Sequence, residues 1–347
     1  MLRQAVFLFL ACLATAVPSE CLADGYPLFN SEDTLELMLE VPMRELLRRA
    51  KKKPVLEGQL KYIAADGSDA TIDLTITTRG RSRLAQCSFP PLSITLDKDQ
   101  VESTMFAGQR TLKIVTHCRN ADKYQRYLLQ EFGIYKAYNL LSDHSFRVRM
   151  LNVTYRDSQQ KRRDSMDSAF FIESDEEVAK RNEMTKIKTK TIASHQFDIA
   201  ETNKYELFQY MIGNTDWAIK KGPGTENCCH NGKVIGHAGS ENNWIVLPYD
   251  FDQSGIINTE YALPALDFGI RNVTIRLYRG RCAHNEQLGR TIALFKENRR
   301  DIQAALVPLA LSKKDQKKAL KYVDAFFSTI DDSKKFDGRI IGKCRGA

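Results

Sequence analysis

The stretch Tyr249-Asp250-Phe251-Asp252-Gln253-Ser254-Gly255 places two carboxylates at the end of the apolar run Trp244-Ile245-Val246-Leu247-Pro248. That run predicts a buried strand, and a spacing of two would put Asp250 and Asp252 on one strand face. Upstream stand Gly213-Asn214-Thr215-Asp216-Trp217, then Asn227 and Asn231. An acid, a later asparagine and a strand-borne acid follow the order used by phosphoryl-transfer sites, where charge is handled mainly by positioning and electrostatics. Plainer readings exist. Asp250 and Asp252 could cap a strand-end turn, and Asp216 could bind backbone amides at a helix end.

Phosphoryl transfer needs a metal ion on the phosphates, and hard Mg²⁺ or Mn²⁺ takes carboxylate and amide oxygens. Asp250 is the first expected ligand, with Asp252 completing the site and Asn231 or Asn227 adding an amide oxygen. Asn231 comes shortly before Lys233-Val234-Ile235, an asparagine-then-strand order. Asp216 would orient the acceptor hydroxyl and take its proton late. Lys113 sits inside Leu112-Lys113-Ile114-Val115, where a buried lysine needs a partner or a task. The task would be gripping the phosphates of ATP or another nucleotide, with Glu131 on the next helix holding the lysine. The alternative is a lysine on an exposed strand face. Arg79 and Arg81 flank Gly80 after a strand and could also meet phosphate.

The elements that must position these groups fall into two stretches. Alternation predicts strands at 35–41, 56–64, 70–78, 92–96 and 111–117, with Asp66-Gly67 as a hairpin turn and a short helix at 43–50. A helix follows at 123–141, then strands at 146–155 and 169–172 and a helix at 175–181. A helix ends at 205–211, a long loop fills 221–243, and a strand covers 244–249. Two helices, 287–306 and 313–327, close the chain, the second capped by Ser312. The Lys51-Lys52-Lys53 run is expected to be a solvated helix end. This pattern predicts a two-lobed α+β protein, with a β-rich N-lobe at 24–180, a helix-rich C-lobe at 181–347 and a site between them.

The chain has 347 residues and a net charge of +8, enough for a sizeable core. No aromatic–basic pattern points to nucleic acid. Arg3, the short apolar run 5–13 and small residues up to Ala23 predict a cleaved signal peptide at 1–23, and no later stretch is long enough to anchor the chain in a membrane. The product would be exported, to the periplasm or outside the cell. Six cysteines then remain, an even number that suggests three disulfides. Cys87 and Cys118 flank neighbouring strands and are expected to pair. Cys228 and Cys229 would pair with Cys282 and Cys344 in either order. The rival is a metal site using Cys228-Cys229-His230 and Cys282-Ala283-His284, whose spacing lacks the paired CxxC of structural zinc.

Pieces of the chain between about residues 70 and 255 resemble the CotH-type secreted kinase family. Ile76-Thr77-Thr78-Arg79-Gly80-Arg81-Ser82 resembles that family's strand ending in Arg-Gly-x-Ser. Phe146 to Tyr155 and Phe170-Phe171-Ile172-Glu173 resemble its middle strands, which close on a Glu. Ile212 to Trp217 and Pro248 to Asp252 resemble its two active-site motifs. The resemblance implies a protein-kinase-like fold. It also implies a metal-dependent kinase acting on a protein or small-molecule hydroxyl, with Glu173 in the nucleotide site. A catalytically inactive binding module of the same fold is the alternative. Where the family carries a Pro-Lys-Lys stretch, this chain has Phe89-Pro90-Pro91-Leu92, which shifts phosphate binding to Lys113 or the arginines.

Overall fold

The computed structural model describes residues 27–346; the signal peptide expected at 1–23 lies outside them. In the first strand, β1 (Leu35–Val41), every second residue is buried, as the alternating sequence requires. Six strands follow in the same sheet: β2 (Leu56–Ile63), β3 (Asp69–Thr78), β4 (Leu92–Leu96), β5 (Thr111–Val115), β6 (Val148–Asp157) and β7 (Ser165–Ile172). The expected hairpin joins β2 to β3, and Gly67 in its turn has a φ of 84°, a left-handed value that suits glycine.

The strands pair in the order β1-β2-β3-β4-β5-β7-β6, and β6 returns to β1 to close a barrel. This closure overturns the expected two-lobed, protein-kinase-like fold. Instead of an open sheet, β1 runs parallel to β6 from Leu35 opposite Leu151 to Val41 opposite Asp157. Alternation in 35–41 announces a strand but does not name a partner so far along the chain. Leu39, Leu60, Ile94, Ile114, Val153 and Phe171 belong to the barrel's own core.

Consecutive strand residues face opposite sides, and Phe170-Phe171 exploits this. Phe171 packs inside the barrel core while Phe170 joins a second core outside it. The helix Asp122–Asn139 lies against this wall, with Phe132 and Tyr135 at 5.7 and 6.0 Å from the Phe170 ring. Its other side meets the helix Arg299–Leu306 at Gly133. The helices Ile199–Ile212, Leu288–Glu297 and Lys313–Asp331 complete the second core. The expected single helix 287–306 is broken at Asn298, whose side chain donates to the Leu294 carbonyl at 2.9 Å and competes with the helical ladder. Ser312 caps the last long helix as its sequence suggested.

A small antiparallel sheet, β8 (Thr185–Lys186), β9 (Gly232–Gly236) and β10 (Ile245–Pro248), stands beside the helices in the order β10-β9-β8. β9 lies inside the stretch expected to be loop. Its few apolar residues give a weak periodic signal, and pairing with β10 makes the strand. Disulfide Cys87–Cys118 forms as expected, but the other pairing is corrected. Cys228 bonds its neighbour Cys229, and Cys282 bonds Cys344. The expectation had assumed that adjacent cysteines seek distant partners. Among the described residues no helix is long and apolar enough to cross a membrane.

A Cβ added at Gly133 would come within 2.2 Å of the Ala305 carbonyl oxygen. Gly133→Ala should gain about 1 kcal/mol of helix propensity but lose about 1–3 kcal/mol to overpacking, for a net destabilisation. Urea unfolding checks this; equal or higher stability in the variant would mean the two helices separate freely.

Candidate functional site

Five segments converge on a cleft of about 470 Å³ beside the barrel. The turn after β3 brings Arg79, Arg81 and Arg83, and the helix Asp122–Asn139 brings Glu131 and Tyr135. The turn after helix Ile199–Ile212 brings Asp216. The segments around β9 and β10 bring His230, Asn231, Tyr249, Asp250, Asp252 and Gln253.

The two acid-bearing turns are fastened together by backbone. Gly255 donates to the Gly213 carbonyl at 3.0 Å and Ile256 to the Ile212 carbonyl at 3.1 Å. Gly213 ends its helix at a φ of 67°, and a Cβ there would meet the Tyr322 hydroxyl at 2.0 Å, so glycine is required on both counts. Tyr249 donates from its backbone to the Asn231 carbonyl at 3.2 Å, and the Asp250 amide donates to the Tyr135 hydroxyl at 3.1 Å. Asp250 and Asn231 hold left-handed φ values of 60° and 50°. Such values cost non-glycine residues about 1–3 kcal/mol and persist where surrounding contacts impose them, often at functional positions.

Asp216 accepts from His230 Nε2 at 2.6 Å, from Asn231 Nδ2 at 2.9 Å and from Gln253 Nε2 at 3.1 Å. Its backbone is held as well: Arg279 Nη1 donates to the carbonyls on either side, Thr215 at 2.6 Å and Trp217 at 2.7 Å. The hydrogen bond to Asp216 raises the His230 pKa above its ordinary value, against the opposing effect of burial. His230 belongs to the Cys228-Cys229-His230 group expected as a rival metal site. Arg279 stands in no recognisable motif, and Gln253, though inside the 249–255 stretch, is not distinguished there by type or spacing.

Arg83 organises the second group of acids. It donates to both Glu131 carboxylate oxygens at 2.8 Å, to Asp252 Oδ2 at 2.9 Å and to Asp250 Oδ1 at 3.1 Å. This corrects the expected Lys113–Glu131 pair. Lys113 instead lies 3.8 Å from Asp175 and over the Tyr249 ring, 5.6 Å from its centroid, and is not among the residues lining the cleft. Burial, with the nearby Arg79, lowers the Lys113 pKa despite Asp175. Three arginines in five residues, Arg79-Gly80-Arg81-Ser82-Arg83, were the available sign that this turn is electrostatically special.

The remaining expected residues divide. Arg79 donates to the Tyr249 hydroxyl, and Arg81 pairs with Glu226 at the cleft mouth. β10 ends at Pro248, so Asp250 and Asp252 lie in the turn beyond it and do not share a strand face. Asp252 is turned inward onto Arg83, with 7% of its surface exposed, while Asp250 faces the cleft with its Oδ2 unpaired among the described residues. Glu173 is not in the cleft; it is buried against Arg181 at 2.9 Å. Asn227 is exposed on the loop and does not line the cleft either.

Three carboxylates share one guanidinium here. Burial opposes the charge on Arg83, but Asp252, Glu131 and Asp250 outweigh it and hold its pKa well above the ordinary value. Burial pushes Glu131 up to about 7 and Asp252 up to about 6, each only partly offset by Arg83. Among the described residues no group of three or more His, Cys, Asp or Glu side chains is arranged to hold a metal ion.

In the unfolded chain Glu131 and Asp252 titrate as ordinary carboxylates, so the folded state binds more protons between about pH 4 and pH 7. The stability this cluster contributes is therefore greatest at the acid end and falls as pH rises through the window. Denaturant unfolding at about pH 5 and about pH 7 should show a smaller fall in Glu131→Gln than in the wild type. An equal fall in both would place the pH dependence elsewhere.

No protein-family model and no curated protein matches this chain.

Proposed function

We propose that this chain is an exported phosphotransferase that moves a phosphoryl group from a nucleotide, with Mg²⁺ or Mn²⁺, to a hydroxyl of a protein or small molecule. The observation that carries this reading is the placement of Asp216. Its carboxylate is fixed by three donors in a cleft that also holds an unpaired Asp250 oxygen and the arginines of the β3 turn. A fixed carboxylate facing a cation site and cationic walls is the arrangement that in-line phosphoryl transfer requires.

The residues fit a hard divalent ion, because Mg²⁺ commonly takes only one or two carboxylates and completes its shell with water and phosphate. Asp250 and the amide oxygen of Asn231, whose Nδ2 already points to Asp216, would hold it. When bound, such an ion offsets phosphate charge. Asp252 and Glu131 act at one remove, fixing Arg83, which in turn fixes Asp250. Arg79 and Arg81 would meet the phosphates. The acceptor oxygen forms the new O–P bond, the bond from the γ-phosphorus to the bridging oxygen breaks, and the nucleoside diphosphate leaves. Asp216 orients the hydroxyl and receives its proton late in the transfer. The three disulfides suit an oxidising compartment, which supports export.

Addition of ATP and Mn²⁺ should raise the thermal midpoint of the wild type, since ligand at about 100 times its Kd adds about 2.7 kcal/mol, and Asp250→Ala should lose most of that rise. Phosphate incorporation into a test acceptor should fall by about 10²-fold or more in Asp216→Ala. No shift, or the same shift in both proteins, removes the nucleotide site. A shift with no incorporation by the wild type assigns the cleft to binding alone.

A further inference from the structure

The chain's positive charge is unevenly spread. Residues 44–53 hold six basic side chains and one acidic one, which accounts for most of the net charge of +8. Only Arg49 of these cations has an ion-pair partner among the described residues, Glu45 on the preceding turn. Arg48, Lys51 and Lys52 are exposed and line a groove of about 810 Å³, whose floor includes Leu47 and Leu84.

A run of cations usually projects into solvent from a helix end, where mutual repulsion is screened. Here the run is folded around a concavity. The helix Met43–Arg48 passes into a short turn at Ala50–Lys52, and the Ala50 carbonyl accepts from Thr78 Oγ1 at 2.6 Å. Thr78 is the last residue of β3, directly before Arg79 and Arg81. The helix Ser82–Gln86 then forms the partition, sending Arg83 into the cleft while Leu84 lines the groove. Groove and cleft are thus two sides of one short helix, and the same β3 end anchors the cations of both.

We propose that this groove docks an extended acidic segment of a protein partner, the acceptor of the transfer proposed above. The acceptor role rests on the phosphotransferase reading; the docking does not. Three observations favour an acidic peptide. The cations stand around a partly apolar floor, which suits a chain that mixes carboxylates with small apolar side chains. Among the described residues no aromatic side chain lines the groove to stack on bases, as single-stranded nucleic acid requires. A concave surface is also a poor match for the plane of an anionic bilayer.

The test uses the full chain and a fluorescently labelled peptide alternating Glu with Leu and Ser, followed by anisotropy. Binding should be measurable at low salt and should weaken steeply as salt is added. The combined Arg48→Glu, Lys51→Glu and Lys52→Glu variant should bind about 10-fold or more weakly, and the corresponding triple Ala variant should fall between. All three side chains are exposed, and an unchanged thermal midpoint confirms that the variants fold. Absent binding, or binding that charge reversal leaves unchanged, overturns the proposal. So does tighter binding of phosphatidylserine vesicles or single-stranded DNA than of the peptide. Peptide binding without phosphorylation keeps the docking surface and removes the phosphotransferase reading. Phosphorylation of a neutral peptide, with no groove-dependent binding of the acidic one, does the reverse.

Discussion

Arg83 joins three parts of the chain that are distant in sequence: the turn leaving the barrel, the long helix against the barrel wall, and the turn beyond β10. Buried ion pairs are poor sources of net stability, because desolvation consumes much of their attraction. Their better-attested effect is registry. A guanidinium has a fixed planar fork, and three carboxylates can satisfy it only if all three segments arrive at set angles. Glu131 and Asp252 being pushed up by burial shows how strained the arrangement is electrostatically. Among the described residues the Asp250 Oδ2 stays unpaired on the cleft side of this cluster.

Asp216 is governed differently. Its surroundings contribute hydrogen bonds more than charge, from an imidazole and two amides to its carboxylate and from Arg279 to the flanking carbonyls. Arg279 itself is wedged between the Trp217 and Phe268 rings, 4.5 and 4.7 Å from their centroids, and Arg345 also lies over the Phe268 ring, at 4.4 Å. Arg345 follows Cys344, which is tied to Cys282. The far end of the chain therefore buttresses the turn that presents Asp216. The two acid centres meet through the backbone at Gly213 and Gly255 and through the Gln253 side chain on Asp216.

Local signals were legible and distant pairings were not. β1, the β2–β3 hairpin, the helix Asp175–Arg181 and the Ser312 cap follow from periodicity, turn chemistry and capping, each decided within a few residues. Barrel closure depends on β1 meeting β6, which no local pattern encodes. The same limit applied in the cleft. Asp216, Asn231 and Asp250 stand in recognisable sequence contexts and converge. Arg83, Gln253 and Arg279 matter through what they reach, and a lone arginine or glutamine advertises nothing about its reach. Glu131 on the next helix is the expected partner of Lys113, yet Arg83 reaches that carboxylate instead.

The parallel seam between β1 and β6 also bears on the order of events as the chain folds. β2 can satisfy one edge of β1 early, because the hairpin partner is close in sequence. The other edge must wait for residues 151–157, and contacts of such separation form slowly because loop closure precedes their reward. Until then the barrel's apolar lining has no lid at the seam. A growing chain would therefore stay unlocked through its first 150 or so residues.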